Sequence, residues 1–160
     1  MRRTLRRLTG LLLPLLAACA TSGGARPTMS ASPTLVVLYV ADQASARDFY
    51  VEVLGVAPNL DVPGMTELTL PGGALLGLMP EAGIKRLLGE ALPDPAAGSG
   101  VPRAELYLRV EEPAAFHARA LAAGARELSA LAPRPWGDEA AYSLDPDGHV
   151  LAFARTLPAP

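Results

Sequence analysis

The chain has 160 residues, of which 50% are hydrophobic and 19% are charged, and its formal net charge is -2. This length suits one domain or two small fused modules, and the hydrophobic fraction excludes an intrinsically disordered chain. No long run of basic residues occurs. We therefore expect no nucleic-acid partner.

The first 18 residues are typical of a secretory signal peptide. Four arginines within the first seven residues precede an apolar stretch at 8–18. That stretch is about half of the ~20 residues that a membrane-spanning helix needs. The following Leu-Ala-Ala-Cys at 16–19 resembles the bacterial lipoprotein signal, in which the cysteine is lipidated and becomes the N-terminus. We predict a signal peptide at 1–18 and lipidation of Cys19, the only cysteine.

Residues 19–33 are rich in Ser, Gly, Pro and Thr and are predicted to be a flexible tether. This organisation implies a lipoprotein anchored to a membrane of the bacterial cell envelope. A start of translation at Met29 is the alternative, and it would give a cytosolic domain. Cys19 would be a buried free thiol if the whole chain were cytosolic. We favour the lipoprotein, because unrelated upstream sequence rarely contains all three signal elements in order.

The pattern of strands and helices occurs twice in the remainder of the chain, which we assign to one domain at 34–157. The first module, at 34–79, is predicted to hold a strand at 35–40, a helix at 41–54 and strands at 65–70 and 74–79. A linker at 80–102 is rich in Gly and Pro and is predicted to contain a short helix around 84–88. The second module, at 103–157, is predicted to hold a strand at 105–110, a helix at 113–123 and strands near 126–131, 140–144 and 150–155.

Residues 71–78 parallel residues 146–153 with an offset of 75, and the opening strands match with an offset of 70 when Val40 is paired with Val110. The chain therefore resembles two βαβββ modules. This arrangement, with Trp-Gly at 136–137 and Asp-Pro-Asp-Gly-His at 145–149, resembles the vicinal oxygen chelate superfamily. Its members include glyoxalase I, extradiol dioxygenases, fosfomycin-resistance enzymes and metal-free bleomycin-resistance proteins. The resemblance covers roughly residues 34–156 and implies an α+β fold, with paired curled mixed sheets around a cleft and helices outside.

Strand alternation assigns the side chains of the second module to two faces. The apolar side chains Leu106, Leu108 and Val110 are predicted to pack on the helix. Glu105, Tyr107 and Arg109 should then point into the cleft. By the repeat, the cleft side of the first module carries Leu35, Val37 and Tyr39.

In the metal-dependent relatives, the first and last strands of each module supply one metal ligand each. Carried onto this sequence, those four positions are Leu35, Gly77, Glu105 and Ala152. Only Glu105 has a donor side chain, whereas a divalent ion normally needs three or four protein ligands. We therefore predict no metal and no other cofactor. His117 and His149 are expected to be solvated imidazoles.

The small residues at 77 and 152 are expected to leave space in the cleft for a small-molecule ligand. The candidate ligand-binding residues are Tyr39, Glu105, Tyr107, Arg109 and Trp136. Arg109 would hold an anion and Trp136 would stack on a planar group. A comparable Trp-Gly segment contributes to the drug groove of bleomycin-resistance proteins. Glu105 would bind a cation or act as a catalytic general base where water is excluded. The alternatives are a surface pair of Glu105 with Arg109, a core position for Trp136, and a purely structural role for Tyr39.

Three functions stay open from the residues alone. The favoured one is metal-independent binding of a small molecule by a lipid-anchored domain. The second is a lyase, isomerase or dioxygenase that uses Glu105 with a divalent metal. The third is a non-catalytic interaction module whose cleft is filled by its own side chains. The resemblance also implies that the chain can form a homodimer.

Overall fold

The computed structural model describes residues 32–98 and 100–158. The predicted signal peptide and most of the predicted tether, with Cys19 and Met29, lie outside the described residues. Within those residues, no helix is long and apolar enough to cross a membrane.

The first four-stranded sheet has the order β1-β4-β3-β2, in which β1 is parallel to β4 and the other neighbours are antiparallel. Its strand β2 was not predicted, because it is three residues long, exposed, and alternates too briefly to give a signal. The module consists of β1 (Leu35–Val40), α1 (Gln43–Leu54), β2 (Leu60–Val62), β3 (Met65–Thr69) and β4 (Leu75–Pro80).

The second sheet repeats this topology in the order β5-β8-β7-β6, again with its first and last strands parallel. A linking helix, α2 (Glu81–Leu88), and two short 3-10 turns precede it. The module consists of β5 (Glu105–Arg109), α3 (Pro113–Ala122), β6 (Arg126–Pro133), β7 (Asp138–Leu144) and β8 (Val150–Thr156). These elements confirm the α+β fold built from two βαβββ modules.

Both sheets place one face in a hydrophobic core that spans the two modules and includes α1 and α3. Leu106 and Leu108 lie on this side, as the alternation predicts. The other side of each sheet, which we call its open face, carries the odd-numbered residues of β1 and β5. The largest core side chains from the closing strands are Leu76, Leu78, Leu151 and Phe153.

The prediction of a solvated His117 is wrong. Its imidazole is 6% exposed and lies 6.3 Å from the ring of Phe153. Pro113, His117 and Ala120 form the buried stripe of α3. An alanine-rich helix has little contrast between its faces, so its sequence does not reveal which side is buried.

The turn at 145–149 joins the two modules through the buried carboxylate of Asp145. Its Oδ2 accepts a hydrogen bond from the Tyr50 hydroxyl of α1 at 2.7 Å, and the Nδ1 of His149 lies 3.0 Å away. Asp147 Oδ1 accepts the backbone N–H of Ala41 at 2.9 Å. His149 is therefore held in this turn and only 18% of its side chain is exposed, so the prediction of a solvated imidazole is also wrong here.

A second link joins the helices. The Nε of Arg119, on α3, donates a hydrogen bond to the carbonyl of Val53 in the last turn of α1 at 3.1 Å. That turn contains no basic residue of its own. A cation at the carboxyl end of a helix is favourable for its dipole, so α3 supplies a group that α1 lacks. Gly55 ends α1 with a φ of 68°, which favours glycine.

Candidate functional site

Of the four positions that the resemblance matches to metal ligands, only Glu105 has a donor side chain. In the first sheet, Gly77 pairs with Val37, and a Cβ at Gly77 would lie 3.1 Å from Val37 Cγ2 and 3.3 Å from Leu35 Cδ1. The expectation of free space beside Gly77 is therefore wrong, because neighbouring side chains fill it. Ala152 is fully buried and, like Leu35 and Gly77, has no donor. Throughout residues 32–98 and 100–158, no cluster of His, Cys, Asp or Glu could hold a metal ion.

A polar cluster occupies the open face of the second sheet. Tyr107 of β5 lies beside Ala152, and its hydroxyl donates to Asp138 Oδ2 at 2.8 Å. The indole Nε1 of Trp136 donates to the same hydroxyl at 3.1 Å. An Arg109 nitrogen lies 3.5 Å from Asp138 Oδ2. Three of the predicted ligand-binding residues, Tyr107, Arg109 and Trp136, are thus brought together around a carboxylate.

Asp138 is the centre of this cluster and is 3% exposed. The hydrogen bond from Tyr107 holds the pKa of Asp138 below its usual value, and Thr156 and Arg109 lower it further. Burial raises the pKa of the Tyr107 hydroxyl. Asp138 is therefore a carboxylate and Tyr107 a neutral phenol at neutral pH, which fixes the direction of the hydrogen bonds.

The outer members of the cluster are open to solvent. Trp136 is 58% exposed, so it is not the core residue that one interpretation allowed. The Arg109 side chain is 69% exposed, and its guanidinium carbon lies 5.5 Å from the centre of the Tyr107 ring. The arrangement therefore presents a cation and an indole together on one surface. The indole is held by the Tyr107 hydroxyl, and the guanidinium lies near the buried carboxylate of Asp138.

Glu105 and Tyr39 lie outside this cluster. Glu105 is exposed at the start of β5, and among the described residues it forms no ion pair with Arg109. It is near enough to Tyr142 to add to the rise that burial causes in the pKa of that hydroxyl. Tyr39 lies on β1 in the first sheet and lines a different cavity. The structure does not bring these two residues to Trp136.

Asp138 is the member of the cluster that sequence reasoning missed. The predicted strand began at 140, because Asp-Glu at 138–139 is typical of a loop. Extending the alternation of β7 back from Tyr142 through Ala140 would have placed Asp138 on the same face. Its burial depends on Tyr107, 31 residues away in the chain.

A family model described as the Glyoxalase/Bleomycin resistance protein/Dioxygenase superfamily matches residues 33–153. The chain belongs to this superfamily.

Relatives and solved structures agree with this membership. An uncharacterised protein of Mycobacterium tuberculosis strain H37Rv is 33% identical over 134 residues, which cover 79% of this chain and 74% of that protein. A glyoxalase/bleomycin resistance protein/dioxygenase from Nocardioides has a TM-score of 0.66 at 22% identity, covering 85% of this chain and 87% of its own. A family enzyme from Burkholderia phytofirmans PsJN has a TM-score of 0.67 at 21% identity, covering 79% of this chain and 100% of its own. At these identities the structures show the fold alone.

Proposed function

We propose that this domain binds a small planar anion on the open face of its second sheet, without a metal ion. The observation that carries the proposal is the pairing of two exposed groups, Arg109 and Trp136, on a hydrogen-bonded support formed by half-buried Tyr107 and buried Asp138. The guanidinium would take the anionic group and the indole would stack on the planar part of the ligand.

The support matters because it reduces the entropy lost on binding. Trp136 is held at its Nε1 by Tyr107, which is itself held by Asp138. A side chain already fixed in its bound position loses less freedom when a ligand arrives. The guanidinium has five N–H donors, and only one nitrogen is near Asp138, at the long distance of 3.5 Å. Its other nitrogens bond to no residue that the structure describes, so they can bind a ligand.

Metal independence is supported by the side chains at the four matched positions. Only Glu105 has a donor, and it lies exposed at a strand end. The alternative of a metal-dependent lyase, isomerase or dioxygenase would need three or four ligands in one place. Metal analysis of the purified protein tests this part. We expect far less than one divalent ion per chain, and about one tightly bound ion would overturn metal independence.

We propose binding rather than proton abstraction by Glu105. A carboxylate is an effective general base near neutral pH when its surroundings exclude water. Glu105 is exposed instead. No catalytic role is therefore assigned to it.

The binding proposal can be tested with benzoate and benzamide, which are planar and nearly the same size but differ in charge. Trp136 is the only tryptophan, so the protein has a single indole N–H resonance. We expect benzoate to shift this resonance, and benzamide to bind at least about tenfold more weakly, because it lacks the charge that Arg109 recognises. The variant Arg109→Gln should remove the preference for benzoate. Arg86→Gln, which removes an exposed arginine from α2, is the matched control and should retain it.

Two results would contradict the proposal. One is equal binding of benzoate and benzamide by the parent protein. The other is an unchanged preference in Arg109→Gln.

The open face of the first sheet favours a second role, contact with another copy of the chain. The side chains of Val37, Leu35 and Met65 cover Gly77, and the face around it is partly exposed and largely apolar apart from Glu67, which pairs with Gly77. Its exposed side chains are Leu35, Tyr39, Leu60 and Val62, at 36–44%. We therefore propose a homodimer through this face. Sedimentation equilibrium should show a dimer that Leu60→Glu dissociates, and a monomeric parent protein would refute it.

The lipid anchor is also our proposal, and its support is the arrangement of residues 1–19 alone. In a bacterial host, Cys19 should incorporate an alkyne-labelled fatty acid, and Cys19→Ser should not. A start at Met29 would instead give an unlabelled chain of lower mass.

A further inference from the structure

A separate cavity of about 180 Å³ lies where β1, the turn at 145–149 and the linking segment meet. It exceeds the roughly 150 Å³ of an engineered protein cavity that holds benzene. Part of its wall is apolar, from Val37 of β1 and from Val101. None of the cluster residues Tyr107, Arg109 and Trp136 lines it. The cavity is therefore distinct from the proposed anion-binding face.

Two charged side chains of this wall are fixed at one atom and open at the other. His149 has its Nδ1 at 3.0 Å from Asp145, and Asp147 has its Oδ1 bonded to the backbone of Ala41. His149 Nε2 and Asp147 Oδ2 make no hydrogen bond to any residue that the structure describes. Burial alone would lower the pKa of His149, but the hydrogen bond and charge of Asp145 raise it above its ordinary value. The charges of Asp147 and Glu81 raise it further.

Two further side chains of the wall are charged. Glu81 begins α2, and Arg103 lies in the segment before β5. Within the described part of the chain, neither forms an ion pair, so the two charges are more than 4 Å apart although they line one cavity. The guanidinium of Arg103 lies over Gly98, where it leaves no room for a Cβ. It is thus placed at the cavity wall.

We propose that this cavity binds a small zwitterion of the α-amino-acid type with an apolar side chain. Its ammonium group would lie toward Glu81 and Asp147, its carboxylate toward Arg103 and His149, and its side chain against the apolar part of the wall. Within the described residues, Glu81 and Asp147 form no ion pair with Arg103 or His149, although both carboxylates raise the pKa of His149; groups of both signs therefore line the cavity. A ligand that carries both signs satisfies them better than a simple amine or a simple acid.

The test uses three probes of matched shape. L-leucine carries both charges, 3-methylbutan-1-amine lacks the carboxylate, and 4-methylpentanoate lacks the ammonium group. Titrations of the full chain are followed by ¹H–¹⁵N spectra, which show where each probe binds. We expect L-leucine to shift the amides of Tyr39, Asp147 and His149, and each single-charge analogue to bind at least about tenfold more weakly.

Single variants then separate the two charged halves of the cavity. Arg103→Gln should weaken L-leucine about tenfold or more and leave 3-methylbutan-1-amine unchanged. Glu81→Gln should weaken L-leucine and leave 4-methylpentanoate unchanged. Both residues lie toward the surface and pair with no described residue, so both variants should fold like the parent. Arg86→Gln removes an exposed arginine that does not line the cavity, so it is the matched control and should bind L-leucine normally.

Several outcomes would overturn the proposal. These are no shift with L-leucine, equal affinity for L-leucine and either analogue, and shifts confined to the face around Trp136. The last outcome would assign L-leucine to the anion-binding face instead. Because benzoate and L-leucine are read at different residues, failure of one site leaves the other site to be judged separately.

Discussion

The two modules repeat one topology but differ at matched positions. Val37 pairs with Gly77 in the first sheet as Tyr107 pairs with Ala152 in the second. At this point the first open face is closely filled by the apolar side chains of Val37, Leu35 and Met65, whereas the second carries a hydrogen-bonded polar cluster. On the core side the matched residues are all large and apolar, namely Leu76 with Leu151 and Leu78 with Phe153. The fold thus constrains one face of each sheet and leaves the other free for function.

The contacts that join the two modules also differ between matched positions. With the offset of 75, Asp145 corresponds to Leu70, and both are buried. With the offset of 70, Tyr50 of α1 corresponds to Ala120 of α3. The residues matched to the hydrogen-bonded pair Tyr50 and Asp145 are therefore both apolar. The contact of Tyr50 with Asp145 is a directional hydrogen bond, whereas Leu70 and Ala120 lie in the hydrophobic core.

The largest losses of stability should come from substitutions on the core side of each sheet. Phe153→Ala and Leu78→Ala should each lower the free energy of unfolding by about 3 kcal/mol or more, because each leaves a cavity in a fully buried layer. Val37→Ala, on the open face, should cost only about 1 kcal/mol. Urea denaturation measures all three. A similar cost for Val37→Ala would mean that the two faces are not distinguished as described.

Removing the polar contact between Tyr50 and Asp145 should cause the next largest loss of stability. Asp145→Ala should cost about 3 kcal/mol, because it leaves the buried Tyr50 hydroxyl without its acceptor and removes the partner of two backbone N–H groups. Tyr50→Phe should cost about 1–2 kcal/mol. The exposed Glu52 of α1 provides a control, since Glu52→Ala should change stability little. An Asp145→Ala variant as stable as that control would show that the junction does not couple the modules.

The pH dependence of stability should sharpen the contrast between the junctions. Burial alone would raise the pKa of Asp145, but hydrogen bonds from His149 and Tyr50 lower it. Its contribution is therefore complete above its unfolded pKa near 3.8 and is lost as the pH falls through the lower folded value.

The contribution of His149 to stability changes with pH in the opposite direction, because Asp145 raises the pKa of His149 in the folded state. Its contribution is complete below about pH 6.5 and is lost as the pH rises through the folded value. We expect His149→Gln to lose more stability at pH 6 than at pH 9, as measured by urea midpoints. An equal loss at both pH values would exclude a contribution from the imidazolium.

The smallest effect should be at Gly77. Its φ is not positive, so alanine fits the backbone and stabilises by reducing the freedom of the unfolded chain, by about 0.4–1 kcal/mol. The Cβ would also crowd Val37, Leu35 and the sulfur of Met65 at 3.1–3.3 Å. These effects oppose each other, so Gly77→Ala should lie within about 1 kcal/mol of the parent in thermal unfolding. A large loss would show that the neighbouring side chains cannot move.

The helices and strands were predictable where the hydrophobic periodicity agreed with the residues that begin or end an element. The apolar β1, the helix ended by Gly55 and the paired offsets were sufficient for the two-module fold. Exposed β2 and the polar start of β7 were missed, because neither has local hydrophobic contrast. Asp138 is paired with Thr156 of β8, and its carboxylate accepts a hydrogen bond from Tyr107 of β5.

The candidate site was predictable in part. Alternation placed Tyr107 and Arg109 on the open face, since it needs only the strand and its period. The partners of His149 and the filling of the space at Gly77 were not predictable, because both depend on side-chain positions in three dimensions. The burial of His117 was missed for a different reason, the uniform small residues around it.

The hydrogen bond from Arg119 to Val53 has a consequence for expressing the two modules as separate fragments. A fragment that stopped before residue 99 would lack the guanidinium that α3 provides and the acceptor of the Tyr50 hydroxyl. Neither half should therefore persist when expressed alone. Produced together in one cell, the halves should reassemble into a soluble complementation pair, which would make this fold a natural split reporter.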